Sequence, residues 1–165
     1  AISVCVSPYW APSLQKSLMR SIDQIILMVY DEHWSTSKPG PISSQPWFEK
    51  VFLQFYDMFP PEKLVIGIGN YGYDWPLNGS AVDLSVTEVR NLAARHQSEV
   101  LMDDPSKNPM FRYEDEKGIH HEVWFLDTST FKQQYTFLKG RPVAGAALWQ
   151  MGSEDPLLWT TLKEP

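Results

Sequence analysis

Four short apolar runs, each followed by a polar and aromatic segment, constrain the fold of this chain more than any other feature. They are "ISVCVSPY" (2–9), "IDQIILMVYD" (22–31), "KLVIGIG" (63–69) and "VAGAALWQMG" (143–152). Continuous runs rich in Ile and Val are typical of strands buried on both faces of a parallel sheet. The sequence therefore predicts a four-stranded parallel α/β sheet, which is either a small open sheet or half of an eight-stranded barrel.

Helical patterns separate these runs. Segment 47–59 carries apolar residues at helical spacing before a Pro-Pro stop. A second helix starts with Ser85 and Glu88 in capping-box spacing, and a third ends at Gly140. Segment 11–21 is predicted to be a short helical or irregular connection.

The stretch before the last apolar run has a different sequence pattern. Segment 70–80, "NYGYDWPLNGS", is dense in turn residues and predicts a loop. Short strands are predicted in 99–104, 110–118 and 120–127, and the last two form a hairpin. We therefore expect a small α+β insertion over 77–127 within a single domain of 165 residues.

Composition excludes several classes of function. The formal net charge of −6 argues against a nucleic-acid partner, because phosphates require clustered Lys and Arg. No apolar stretch is long enough to span a bilayer, and no signal peptide is expected. Cys5, the single cysteine, lies in an apolar alternation and is predicted to be a buried thiol. No disulfide, no cysteine-based metal site and no cofactor are expected.

Aromatic and acidic residues cluster where the predicted strands end. In parallel α/β folds, ligands bind beyond the carboxyl ends of the strands. Rings that stack on sugars and carboxylates that bind hydroxyls or transfer protons are what a carbohydrate cleft requires. The candidate residues are Met28, Tyr30, Asp31, Tyr71, Tyr73, Trp75, Trp149 and Glu154.

Several of these polar and aromatic residues also have structural interpretations. Asp31 could equally be a strand-end cap that holds a loop amide. His33 is predicted to make a loop hydrogen bond, and the adjacent His120 and His121 point to opposite faces of a strand, so they form a poor metal pair. The tryptophans at 47, 124 and 159 fit apolar patterns and are expected in the core.

Three motifs in order carry a family resemblance. "LMVYD" (27–31), "KLVIGIGNYGYDW" (63–75) and "VAGAALWQMGSED" (143–155) resemble the second half of glycoside hydrolase family 18, the chitinase-like (β/α)8 barrels. The resemblance covers nearly the whole chain and implies a partial, half TIM-type barrel of four parallel strands. A narrower likeness is to modules that large bacterial envelope proteins fuse to a polysaccharide deacetylase and a glycosyltransferase, which implies an extracytoplasmic or cell-envelope location.

The resemblance also implies roles for particular residues. Met28, Tyr30 and Asp31 match the family's Met-x-Tyr-Asp, in which the Tyr hydroxyl contacts the substrate N-acetyl group and the Asp shapes the same subsite. Tyr71 matches an aromatic residue after strand seven, and Trp149 matches the tryptophan beneath the sugar. Tyr30 and Asp31 are thus the catalytic candidates, and the other candidates would bind substrate.

One departure from the family limits what is expected of this chain alone. The family's general acid is a Glu in a DxxDxDxE run, and no such run is present in the 165 residues. The chain is therefore expected to be inactive by itself, and its partners to be a polysaccharide or oligosaccharide and the remaining half of the barrel. That half is in a longer parent chain, is a second copy, or is missing. Alternative functions are a non-catalytic carbohydrate-binding module and a flavodoxin-like sheet that binds a planar cofactor.

Overall fold

The first sheet is parallel and has four strands. The computed structural model describes residues 1–9 and 21–163, so the predicted connection over 11–21 lies outside the described residues except for its last position. The strands are β1 (Ser3–Val6), β2 (Gln24–Met28), β3 (Leu64–Gly69) and β9 (Gly145–Trp149), in the order β1-β2-β3-β9. Every neighbouring pair is parallel. This arrangement confirms the predicted half barrel of four parallel strands.

Helices cover one face of the parallel sheet. The helices on this side are α1 (Gln45–Tyr56), α3 (Thr128–Leu138) and the short α4 (Leu158–Thr161), and a 3-10 turn (Pro61–Lys63) precedes β3. Helix α1 begins where the Ser44 hydroxyl accepts a hydrogen bond from the Trp47 amide at 3.4 Å. Phe48, Phe52 and Phe55 of this helix are buried against Leu27, Ile66 and Ile68 of the sheet. Burying this apolar face is what holds the layer together.

The opposite face of the parallel sheet is largely open to solvent at β1 and β9. Ser3 and Cys5 are exposed on β1, whereas Val6 is buried among the core residues. The prediction that Cys5 is a buried thiol is therefore wrong. Exposed and buried side chains alternate along β1, as predicted, but Cys5 lies on the face that lacks a helical layer.

The second sheet is antiparallel and has five strands. They are β4 (Gly72–Pro76), β5 (Val82–Leu84), β6 (Leu101–Met102), β7 (Pro109–Glu114) and β8 (His120–Phe125), in the order β5-β4-β8-β7-β6. Helix α2 (Val86–Arg95) covers one face, and its Ser85–Glu88 capping box is confirmed. The predicted hairpin is confirmed as β7 and β8, joined by a turn in which Gly118 has a φ of 76°.

The prediction that 70–80 is a loop is wrong for five of its eleven positions. Gly72–Pro76 forms strand β4, which pairs with β8 on one side and with β5 on the other. Gly and Pro are poor strand formers, so the local sequence did not indicate a strand; pairing with β8 overrides that preference. The antiparallel sheet thus includes residues before the predicted insertion bound of 77, and the bounds 77–127 stay a prediction.

Several hydrogen bonds join the region of the antiparallel sheet to that of the parallel one. The buried Asn108 side chain accepts from the Ser43 amide at 3.1 Å and donates to the Ser43 carbonyl at 2.9 Å. Arg90 of α2 donates to Asp155 at 2.7 Å, next to the loop after β9. These contacts fix the insertion against the strand ends of the half barrel. No helix in the described residues is long and apolar enough to cross a membrane.

Candidate functional site

A cleft of about 380 Å³ lies at the carboxyl ends of β1 and β2. Its lining is mostly aromatic and apolar and contains one carboxylate. Clefts of this composition, with a few placed polar groups, are the usual form of a small-ligand site. The lining residues are Ser7, Pro8, Tyr9, Met28, Tyr30, Asp31, Trp34, Ser35 and Tyr73.

Asp31 is the polar centre of the cleft. It lies three residues after the end of β2 and has a φ of 61°, a left-handed conformation in which Asp is one of the better-tolerated residues. The Tyr71 hydroxyl donates to Asp31 Oδ1, and the Tyr73 hydroxyl donates to the same oxygen at 3.2 Å. The Tyr9 hydroxyl donates to the Asp31 carbonyl at 3.3 Å. Phenols after β1 and β3 thus hold Asp31 in place.

The environment keeps these phenols protonated. Burial, followed by the charge of Asp31 and its hydrogen bond, raises the pKa of Tyr71 far above its ordinary value. The same causes raise the pKa of Tyr73, and burial with the charges of Glu32 and Asp31 raises the pKa of Tyr9. All three residues therefore act as hydrogen-bond donors at physiological pH.

Tyr30 and Trp149 form the aromatic floor next to Asp31. Their rings are nearly parallel, with 10° between the planes and 6.2 Å between the centroids. Tyr30 is 8% exposed, whereas Trp149 is 51% exposed at the end of β9. The Trp149 ring therefore offers most of the flat apolar surface that a ligand could cover.

Two glycines of β3 leave room for the Tyr30 ring. A Cβ atom added at Gly67 would lie 3.3 Å from Tyr30 Cε1 and 2.9 Å from the Leu27 carbonyl oxygen. A Cβ atom at Gly69 would lie 3.2 Å from Tyr30 Cβ and 2.7 Å from Leu126 Cδ1. Small residues at both positions allow Tyr30 to lie flat over the sheet.

Glu154 is held outside the cleft lining. Its side chain accepts from the Gly152 amide at 2.5 Å and from the Trp159 indole at 3.1 Å. The main cause that lowers the pKa of Glu154 is hydrogen bonding from the backbone. Its contact with a sugar stays a prediction. The expectation that Trp159 lies in the core is wrong, because its side chain is 38% exposed and turned toward Glu154.

Trp75 is also away from the cleft. It is 1% exposed, and its ring contacts that of Tyr73 with centroids 5.2 Å apart. The side chain is enclosed in this structure, and its expected contact with a substrate stays a prediction. The Trp75 ring packs against the ring of Tyr73. Trp124 is 7% exposed, so its expected place in the core is confirmed.

The structure adds two aromatic residues that were not among the candidates. Tyr9 and Trp34 line the cleft and are 58% and 44% exposed, with an edge-to-face contact at 6.2 Å. The strand-end rule that selected Tyr30 and Tyr71 applies equally to Tyr9, which is the last residue of the first apolar run. Trp34 lies three residues after Asp31 and could have been included by the same rule.

The histidines are engaged in structural contacts. His33 Nδ1 lies 2.8 Å from the Pro41 carbonyl, which confirms the loop hydrogen bond. His121 Nδ1 lies 2.8 Å from Asp74 Oδ1, on the face of the antiparallel sheet that packs against α2. Within residues 1–9 and 21–163, no group of three or more His, Cys, Asp or Glu side chains is placed to hold a metal ion.

A half barrel with an aromatic, carboxylate-centred cleft at its strand ends defines a carbohydrate-active, glycosidase-like domain. The chain belongs to glycosyl hydrolases family 18, whose family model matches residues 4–155. The family resemblance seen in the three sequence motifs is thereby confirmed.

Individual relatives agree with this assignment. The chain is 30% identical to the cortical fragment-lytic enzyme of Bacillus anthracis over 148 residues, which cover 87% of this chain and 34% of the relative. It is similar to the structure of the Bacillus cereus spore cortex-lytic enzyme SleL, with a TM-score of 0.87, 26% identity, and coverage of 97% of this chain and 40% of that one. A chitinase from Chromobacterium violaceum gives a TM-score of 0.87 at 25% identity, covering 98% of this chain and 54% of the other. The chain thus spans about a third to a half of the length of these relatives.

Proposed function

We propose that this chain supplies one side of the cleft with which a family 18 hydrolase holds a polymer or oligomer of N-acetylglucosamine. The observation that carries the proposal is the exposed Trp149 ring, parallel to Tyr30 and next to Asp31. Among the relatives are cortical fragment-lytic enzymes and a mouse di-N-acetylchitobiase, and the name of the mouse enzyme supports an N-acetylated amino sugar as the ligand.

The proposed chemistry is substrate-assisted hydrolysis. The acetamido oxygen of the substrate attacks the anomeric carbon, the bond to the leaving oxygen breaks, and a general acid protonates that oxygen. In this scheme the Tyr30 hydroxyl donates to the acetamido group, and Asp31 orients the same group. Trp149 covers the apolar face of the sugar, and Met28 and Tyr73 border it.

The general acid has to come from outside this chain, because the DxxDxDxE run is absent from it. We propose that the remaining half of the barrel in a longer parent chain supplies it, because a second copy of this chain would lack the run as well. Pairing with that half would also cover β1 and β9, the two edge strands of the parallel sheet. The chain by itself is expected to bind sugar without hydrolysing it.

Calorimetric titration of the 165-residue chain with N-acetylated chitotetraose tests this proposal. Trp149→Ala should weaken binding by about tenfold, because it removes the exposed stacking surface. Leu53→Ala is the matched control, since Leu53 is 49% exposed on α1 away from the cleft. Equal binding by both variants would contradict the assignment, and turnover of the oligosaccharide by the pure chain would contradict the missing acid.

A second candidate is a non-catalytic carbohydrate-binding module that holds glycan for a neighbouring polysaccharide-modifying domain in the cell envelope. It is favoured by the fact that the cleft side chains are present while the acid motif is not. The narrower likeness to modules fused to a deacetylase and a glycosyltransferase belongs with this candidate. Sequencing the coding DNA upstream of Ala1 separates the two, since a strand-four motif ending in Glu favours the hydrolase and a replaced Glu favours the module.

A further inference from the structure

Asn78 and Gly79 form the tip of the turn between β4 and β5, where residues 77–80 are all exposed. The Gly79 amide donates to the Pro76 carbonyl at 3.3 Å, which is long for a hydrogen bond, so the Gly79 nitrogen is held weakly. Glycine also has no side chain that would shield its own nitrogen. The Gly79 nitrogen is therefore open to reaction with the neighbouring Asn78 side chain.

The other three asparagines of the chain are in different surroundings. Asn91 is exposed, but it lies within helix α2 and precedes a leucine. Asn70 and Asn108 are 1% and 0% exposed. Asn108 also precedes a proline, whose nitrogen carries no hydrogen. All four asparagines are among the described residues, and of these only Asn78 is exposed in a turn and followed by glycine.

We propose that Asn78 is a site of spontaneous deamidation and that its isoaspartate product loosens the rim of the cleft. The Gly79 nitrogen attacks Cγ of Asn78 and forms a new N–C bond, and the side-chain nitrogen leaves as ammonia with the proton of the Gly79 amide. Water then opens the resulting succinimide ring. Opening at Cγ gives aspartate, whereas opening at the main-chain carbonyl carbon gives isoaspartate, in which the main chain continues through Cβ and Cγ.

The isoaspartate product lengthens a turn that is fixed on both sides. The Leu77 amide donates to the His120 carbonyl at 2.9 Å, and the Ala81 amide donates to the Ser35 carbonyl at 2.7 Å. Ser35 is part of the cleft lining. An additional main-chain atom between these two anchors strains both hydrogen bonds, and the bond to Ser35 carries the strain to the cleft. This consequence for sugar binding rests on the proposed function, whereas the modification itself does not.

Peptide mapping by mass spectrometry tests the modification. The chain is kept in warm, mildly alkaline buffer, which favours attack by the main-chain nitrogen, and is sampled over time. We expect the peptide that contains Asn78 to gain the mass of deamidation and to separate into aspartate and isoaspartate forms. Peptides that contain the other asparagines should stay unchanged, as should Asn78→Gln, whose longer side chain has to close a larger ring. A stable Asn78, or an Asn91 that converts as fast, would overturn the inference.

Calorimetric titration with N-acetylated chitotetraose tests the effect on the cleft. Aged wild-type chain should bind about two- to tenfold more weakly than fresh chain, as the loss of one hydrogen bond produces. Aged Asn78→Gln should bind like fresh wild type. Fresh Asn78→Asp carries the new charge on a main chain of ordinary length, so it should also bind like fresh wild type. Weak binding by fresh Asn78→Asp would assign the effect to charge and overturn the role of the lengthened turn.

The two experiments separate this inference from the proposed function. If fresh wild-type chain does not bind the oligosaccharide, the proposed function is overturned, and the peptide map still decides whether Asn78 is modified. If Asn78 is modified but aged and fresh chains bind equally, the link between the turn and the cleft is overturned and the proposed function stands.

Discussion

The Tyr71 hydroxyl donates a hydrogen bond to Asp31 Oδ1, although the two residues are 40 positions apart in the sequence. Tyr71 is 5% exposed and Asp31 lines the cleft, so the bond connects the buried base of the site with its ligand-facing surface. Tyr73 donates to the same oxygen from the adjacent strand β4. The segment after β3 therefore fixes the orientation of the residue that ends the apolar run of β2.

Removing the two phenol hydroxyls should have unequal effects on stability. Tyr71→Phe deletes a buried hydrogen bond to a carboxylate and should lower the free energy of unfolding by about 1–3 kcal/mol. Tyr73→Phe deletes a longer bond at a half-buried side chain and should cost less than about 1 kcal/mol. Urea denaturation followed by tryptophan fluorescence measures both. A larger loss for Tyr73→Phe would show that Tyr71 is not the main support of Asp31.

A methyl group at Gly67 should displace the Tyr30 ring. The added Cβ would meet the rigid Leu27 backbone at 2.9 Å, so Gly67→Ala should destabilise the chain by about 1–3 kcal/mol and weaken sugar binding. Gly145→Ala is the control, because a Cβ there meets no atom within 4 Å. Denaturation midpoints and the chitotetraose titration report the two effects. Equal behaviour of the two variants would mean that the Tyr30 position tolerates the added group.

The ion pair between Arg90 and Asp155 should be worth more than an exposed pair. Asp155 is 1% exposed and also accepts from the Thr128 and Leu157 amides, so Arg90→Met leaves a buried carboxylate without its cation. Because the Arg90 side chain is 47% exposed, the free energy of unfolding should fall by about 1–2 kcal/mol, which is less than the loss expected for a fully buried pair. Asp104→Asn, which breaks the exposed pair with Lys107, should cost less than about 0.5 kcal/mol. Chemical denaturation of both variants checks the ranking, which would be contradicted by equal losses.

The capping box of α2 should make stability depend on acid pH. Hydrogen bonds from the Ser85 hydroxyl and amide lower the pKa of Glu88 in the folded chain. The contribution of Glu88 to folding stability is therefore present above its unfolded-state pKa of about 4.3. It is lost as the pH falls through the lower pKa of the folded state. Glu88→Gln should flatten this part of the curve of denaturation midpoint against pH. The control Glu116→Gln, at an exposed turn position, should leave the curve unchanged, and equal flattening by both would contradict the assignment.

Local sequence patterns predicted the parts of the fold that depend on nearby residues. The apolar runs that became β2 and β3 bury the alternate residues that face the helices, and the Ser85–Glu88 spacing places the start of α2. The same logic selected Met28, Tyr30, Asp31 and Tyr73, all of which the fold brings to one cleft. Strand-end position was informative because parallel strands bring their carboxyl ends to one edge, although the same rule selected Trp75 and Glu154, which lie outside the cleft lining.

What local patterns missed depends on distant partners. Strand β4 has unfavourable Gly and Pro residues and exists because β8, more than 40 positions later, pairs with it. The enclosure of Trp75 likewise follows from neighbours that are remote in sequence.

The sequence by itself determined the four-strand parallel architecture, the helix starts and the family, since periodicity, capping and motif order are encoded in short stretches of chain. Only the tertiary structure decided which strand-end aromatic residues face the cleft and which are enclosed beneath it. It also decided that the hydroxyls of Tyr71 and Tyr73 both bind one carboxylate oxygen of Asp31. The physical reason is that side-chain orientation at a strand end depends on packing against other strands and loops, which no short segment contains.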